Sequence, residues 1–124
     1  MWAYESVFYQ IYPIGFCGAP RVNDGVTVPR IRKVSDWAEH IASLGCNAVY
    51  FSPIFESDSH GYDTRDFRKV DCRLGTNEDF AAVTERTKAA LDRFLAEGGE
   101  QPPSLNSSLP WLSCILRKNR WITR

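Results

Sequence analysis

Apolar and polar positions along the 124 residues change period several times, and each change marks an element. Residues 6–13 (SVFYQIYP) alternate loosely around β-formers and stop at Pro13, which predicts a strand. Asn23-Asp24-Gly25 supplies turn chemistry inside the long polar connection that follows. Pro29 suits the first turn of a helix, where its missing N–H costs nothing. From there Ile31, Val34, Trp37, Ile41 and Leu44 recur at helical spacing and define one apolar face, with Gly45 placed as its C-terminal cap. Cys46 to Ser52 (CNAVYFS) is a short continuous apolar run ending at Pro53, the pattern of a strand buried on both faces of a parallel sheet. Strand, helix and strand make a βαβ unit.

A second helix is predicted from Thr76, which forms a capping box with Asp79. Phe80, Val83, Thr87, Leu91, Phe94 and Leu95 lie along one face, and Gly98-Gly99 stands at the end. A complete α/β protein continues into a third parallel strand. Here QPPSLNSSLP reads as a linker, and WLSCILRKNRW as a short amphipathic helix or nothing stable.

Charge sharpens that division. The chain is neutral, with 15 Lys+Arg and 15 Asp+Glu, which argues against nucleic acid as a partner. Every acidic residue lies within 1–100, however, and the end carries only Arg117, Lys118, Arg120 and Arg124. An acidic body is thus joined to a chemically different tail. No run approaches the ~18 apolar residues of a membrane span. MWAYESVFYQ lacks the basic start of a secretory leader, so a cytoplasmic location is expected. Cys17, Cys46, Cys72 and Cys114 form no CxxC pair and the only histidines are His40 and His60, so neither metal nor cofactor is expected.

The connection from Pro53 to Phe80 is where chemistry concentrates. It far exceeds the usual βα loop of about two to six residues, and loops at the C-terminal ends of parallel strands are where α/β folds hold ligands. It carries Glu56, Asp58, Asp63, Asp66 and Asp71 interleaved with His60, Tyr62, Arg65, Arg68, Lys69 and Arg73. Two readings stand side by side. In one, Tyr62 stacks on a sugar ring while His60 and Asp63 hydrogen-bond its hydroxyls. In the other, Asp63 or Asp66 pairs with Arg65 or Arg68 and the loop is purely structural.

The ordered series YQIYPIGF, LGCNAVYFSPIF and HGYDTRDFRKVDCRLGTNEDF resembles the opening of the α-amylase family, glycoside hydrolase family 13, over roughly residues 7–83. The form ESDSHGYDTRDF leans toward its neopullulanase and cyclomaltodextrinase branch. The resemblance implies an α/β fold, the incomplete N-terminal part of a (β/α)8 barrel, in residues 1–98, with 99–124 unrelated: disordered or translated out of frame. It implies that Tyr62 stacks on the glucose beside the scissile bond, that His60 binds the same sugar, and that Asp63 is a hydrogen-bonding neighbour. It also implies that Tyr12 and Pro53 shape the barrel floor and cleft wall, while Asp66 and Asp71 serve folding. The parent enzyme is expected to act on an α-glucan or maltooligosaccharide as a retaining glycosidase.

Retaining hydrolysis needs two carboxyl groups about 5–5.5 Å apart across one glycosidic bond. The family's nucleophile, acid/base and third aspartate follow its fourth, fifth and seventh strands, which these residues do not reach. Catalytic residues are therefore expected to be absent and the chain alone inactive. A non-catalytic carbohydrate-binding module, or a segment whose basic end meets an acidic partner, are the alternatives. Open sheet edges, and side chains such as Val49 and Phe51 left without barrel partners, are expected to favour self-association. The coding DNA tests the tail: an alternative frame past residue 86 is expected to encode a third-strand motif, and its absence from both frames contradicts the frameshift.

Overall fold

Pro13 both closes the first strand and opens a helical turn. The computed structural model describes residues 2–97, 114–117 and 120–122. Strand β1 spans Phe8–Ile11 and is followed directly by α1, Pro13–Phe16, with proline in its first turn where it needs no N–H partner. A 3-10 turn, Arg30–Arg32, leads into α2, Lys33–Ser43. Gly45 takes a left-handed conformation (φ 77°) and its N–H reaches the Ala42 carbonyl, as expected of the cap. Strand β2, Ala48–Phe51, pairs in parallel with β1 from Phe8↔Ala48 to Ile11↔Phe51. The βαβ unit read from the sequence is present.

The long connection is not all loop. Phe55–Ser57 (β3) and Thr64–Val70 (β4) form an antiparallel hairpin with register shifts on either side of Glu56. Almost every residue of β4 is exposed or half-buried, so it shows no apolar alternation and leaves no strand signal in the sequence. Helix α3, Asn77–Ala96, starts behind the expected capping box: Thr76 N–H donates to Asp79 Oδ2 at 3.0 Å and Asp79 N–H to Thr76 Oγ1 at 3.1 Å. Gly98-Gly99 and the linker 101–110 lie outside the described residues.

In place of the amphipathic helix considered for 111–121, Cys114–Arg117 (β5) and Arg120–Ile122 (β6) form a hairpin. Strand β5 runs antiparallel to β2, giving the sheet order β1-β2-β5-β6. The far edge of β2 is therefore paired, correcting the expectation of an open one. Strands β1 and β6 are the sheet's outer members.

The core lies between the sheet and helices α2 and α3. Ile31, Val34, Ile41, Val49, Phe51, Leu74, Phe80, Val83 and Leu91 all join it. Val49 and Phe51 are fully buried, and Phe51 meets Phe80 edge-on with ring centroids 5.3 Å apart. Two steps apart, they share one face of β2, and the contact of Phe51 with Phe80 sets that face against α3 rather than a barrel interior. The core face of α2 also differs from the expected one. Ala38 and Ala42 are buried, while Trp37 (39% exposed) and Leu44 (53%) lie at its margin. Trp37 is held there by its Nε1–H bond to the Tyr9 hydroxyl at 2.9 Å and by the His40 ring.

Phe51→Ala is expected to cost about 3–5 kcal/mol, enough to lose the cooperative transition in urea followed by circular dichroism. A midpoint equal to that of the unaltered chain contradicts this packing.

Candidate functional site

Four pieces of chain meet beyond the C-terminal ends of β1 and β2: Tyr12 after β1, Pro53 after β2, the turn 59–63 between β3 and β4, and the stretch 71–73 after β4. The turn is joined to the stretch 71–73 through an ion pair with no solvent exposure. Arg73 Nε and Nη2 donate to the two oxygens of Asp71 at 2.8 and 2.7 Å, a bidentate fork. Ser57 donates to Asp71 Oδ2 through both its N–H (3.1 Å) and its hydroxyl (2.9 Å), and its hydroxyl accepts from Arg73 Nη2. Arg73 Nη1 reaches the carbonyls of Pro20, Arg21 and Ser59. One guanidinium thus ties the segment after β1, strand β3 and the turn to β4's exit. Burial pushes the Asp71 carboxyl up, but the Arg73 and Ser57 hydrogen bonds and the Arg73 charge outweigh it and hold the group below its usual range.

The turn itself is organised by Asp63. Ser59 Oγ donates to Asp63 Oδ2 at 2.7 Å and Gly61 N–H to Oδ1 at 3.2 Å. The Ser59 hydroxyl is the main reason the carboxyl lies below its usual range. Gly61 sits at φ +95°, where an added Cβ collides with Pro53 Cγ, so only glycine fits against the proline. Tyr62 N–H donates to His60 Nδ1 at 3.1 Å. Since an N–H only donates, Nδ1 carries the lone pair and the neutral ring bears its proton on Nε2. The same Nδ1 lies 3.6 Å from Asp63 Oδ1. Tyr62 is 69% exposed, and its ring is tilted 37° to the His60 ring with centroids 6.1 Å apart. The turn therefore presents an aromatic face and an imidazole edge to solvent.

The structure brings the sequence-nominated His60, Tyr62 and Asp63 together. His60 and Tyr62 face outward, and Asp63 turns inward as the brace of the turn. The suggested pairs of Asp63 or Asp66 with Arg65 or Arg68 do not form. Arg65 instead pairs with Asp58 at 2.8 Å, and Asp66 Oδ1 accepts from the Arg68 N–H. The roles of Ser59, Gly61 and Arg73 left no signal in the sequence, because each acts through a contact set by the fold.

Glu56, Asp71 and Cys72 place potential metal ligands within 4.8 Å of one another. Their donors are already used. Glu56 accepts from Asn23 (2.6 Å) and the Cys72 N–H (2.9 Å) and pairs with Lys69 at 3.2 Å, while Asp71 is held by Arg73. Burial and the neighbouring Glu56 push the Cys72 thiol up, away from the thiolate a metal takes. The donor set fits a structural network neutralised by its own cations.

A parallel βαβ start whose strand-end loop bears exposed ring and hydrogen-bonding groups is the build of an α/β-barrel ligand site. A model of the alpha-amylase catalytic domain matches residues 10–93. An oligo-1,6-glucosidase of Heyndrickxia coagulans is 34% identical over 90 residues, spanning 71% of this chain and 16% of that protein. A cyclomaltodextrinase of a Bacillus species is 32% identical over 100 residues, 68% of this chain and 18% of that one. The structure of cyclic alpha-maltosyl-(1→6)-maltose hydrolase from Arthrobacter globiformis, in complex with cyclic alpha-maltosyl-(1→6)-maltose, matches with TM-score 0.58 at 33% identity. That match covers 73% of this chain and 24% of that one. The chain belongs to the α-amylase family, glycoside hydrolase family 13, and its fold is an N-terminal part of that family's (β/α)8 catalytic barrel. It spans between about a sixth and a quarter of the length of these relatives.

Because the folded Asp71 pKa lies below the unfolded one, its stabilising contribution is present above the unfolded value and is lost as pH falls through the folded value. Urea unfolding between pH 7 and pH 3 is expected to show an acid loss that flattens in Asp71→Asn. That variant is also expected to be weaker by about 3–5 kcal/mol at pH 7, because it strands the buried Arg73. Equal stability at pH 7 contradicts the lock.

Proposed function

We propose that these residues form one wall of an α-glucan-binding cleft. Tyr62 stacks on the apolar face of a glucosyl ring, and His60 Nε2–H donates to one of its hydroxyls. The observation that carries this reading is the 59–63 turn: braced from within by Asp63, yet presenting Tyr62 and the edge of His60 outward. Family membership, and relatives whose names specify oligo-1,6-glucosides and cyclomaltodextrin, support a glucan as the ligand. The parent activity we infer is retaining hydrolysis or transfer at α-glucosidic bonds. Three buried free thiols, Cys17, Cys46 and Cys72, support a reducing, cytoplasmic setting. No helix among the described residues is long and apolar enough to cross a membrane.

These 124 residues by themselves are proposed to bind without cleaving. Acid catalysis requires a carboxyl whose pKa is raised, and Glu56, Asp63 and Asp71 are all lowered. Glu56 and Asp71 do approach each other closely, but both are buried and paired with cations, out of reach of a sugar. Isothermal titration with maltotriose is expected to show saturable binding that weakens about tenfold in Tyr62→Ala, with no reducing ends released. Absence of binding in the unaltered chain overturns the subsite. Release of reducing ends overturns the inactivity.

A further inference from the structure

The turn that presents His60 and Tyr62 is gripped from three sides. Arg73 Nη1 donates to the Ser59 carbonyl at 2.8 Å, and Pro53 closes on Gly61. The third grip comes from the end of β1: the Tyr12 hydroxyl donates to the His60 carbonyl at 2.8 Å, joining positions 48 residues apart. Arg73 has no exposed surface, whereas Tyr12 is 40% exposed and stands outside the apolar cluster of the core. Its ring has a seat built for it. An added Cβ at Gly15 meets Tyr12 Cδ1 at 3.0 Å and Cε1 at 3.4 Å, so the ring lies against the bare backbone of α1. A fixed ring aims the hydroxyl at one carbonyl.

We infer that Tyr12 is a positioning residue, whose hydroxyl fixes the His60–Tyr62 turn and thereby sets the tilt at which the Tyr62 ring meets a glucosyl residue. The identity of the ligand rests on the subsite reading above, while the hold on the turn rests on the geometry alone. Stacking energy depends on ring offset and tilt, and a hydrogen bond from His60 weakens steeply once misaligned. A turn free to rock by a few tenths of an ångström loses both contacts together. Since Tyr12 stands outside the apolar cluster, removing its hydroxyl costs the fold that one hydrogen bond and leaves the core packing in place.

Tyr12→Phe in the full chain removes the hydroxyl and keeps the ring on Gly15. Nitrogen-15 NMR reads the exchange rate of the Tyr62 amide proton, and titration with maltotriose reads affinity. The variant is expected to melt no more than about 8 °C below the unaltered chain, the worth of one net hydrogen bond, to exchange the Tyr62 amide about fivefold faster, and to bind maltotriose about fivefold more weakly. An unchanged exchange rate overturns the inference, as does unchanged affinity in a chain that binds. If the unaltered chain takes up no maltotriose, the subsite reading fails, and the exchange rate alone decides whether Tyr12 holds the turn.

Discussion

Arg73 and Asp71 meet where neither retains any contact with water, and this arrangement is expensive unless every charge and proton finds a partner. Removing an ion from water costs several kcal/mol even after relaxation, and mutual attraction repays it only with full hydrogen bonding. Here Nε and both terminal nitrogens of the guanidinium donate, to Asp71, Ser57, Ser59 and the backbone at 20–21. Asp71 in turn accepts from Arg73 and Ser57. The pair contributes geometry more than net energy: it places segments distant in sequence at fixed separations around one planar fork.

That fixed frame accounts for the character of the site. In the proposed glucan-binding reading, a ring held outward on a braced turn loses little freedom when a ligand arrives, so more of the contact energy remains as affinity. The same loop draws three of its carboxyls, Glu56, Asp63 and Asp71, below their usual range. Glu56 and Asp71 are consumed by Lys69 and Arg73, and Asp63 by Ser59 and Gly61. An acidic residue that organises backbone is pushed toward the ionised form, the opposite of what a proton donor needs.

The βαβ unit was legible in the sequence because its elements bury one side or two, and burial writes a period into the chain. The strand around Gln10, the helix cap at Gly45 and the Thr76–Asp79 box all follow from local chemistry. The hairpin from Phe55 to Val70 did not announce itself, since β4 lies mostly in water and its register shifts at Glu56 break alternation. Val49 and Phe51 were assigned to the wrong side of β2, because a strand apolar on both faces carries no mark of which face meets the helices. His60 and Tyr62 were nominated by the length and make-up of the loop, with a structural reading left open beside it, and the ordered resemblance then attached them to a sugar. Arg73 and Tyr12 act through carbonyls tens of residues away, which composition and periodicity do not encode.

The most direct test of the frame is the Arg73 Nε–H signal in nitrogen-15 NMR at neutral pH. A buried guanidinium donating at 2.8 Å to Asp71 exchanges its Nε proton orders of magnitude more slowly than free arginine and disperses it from the exposed arginines. Exchange at the rate of a solvated side chain contradicts the lock and, with it, the account of how the turn is held.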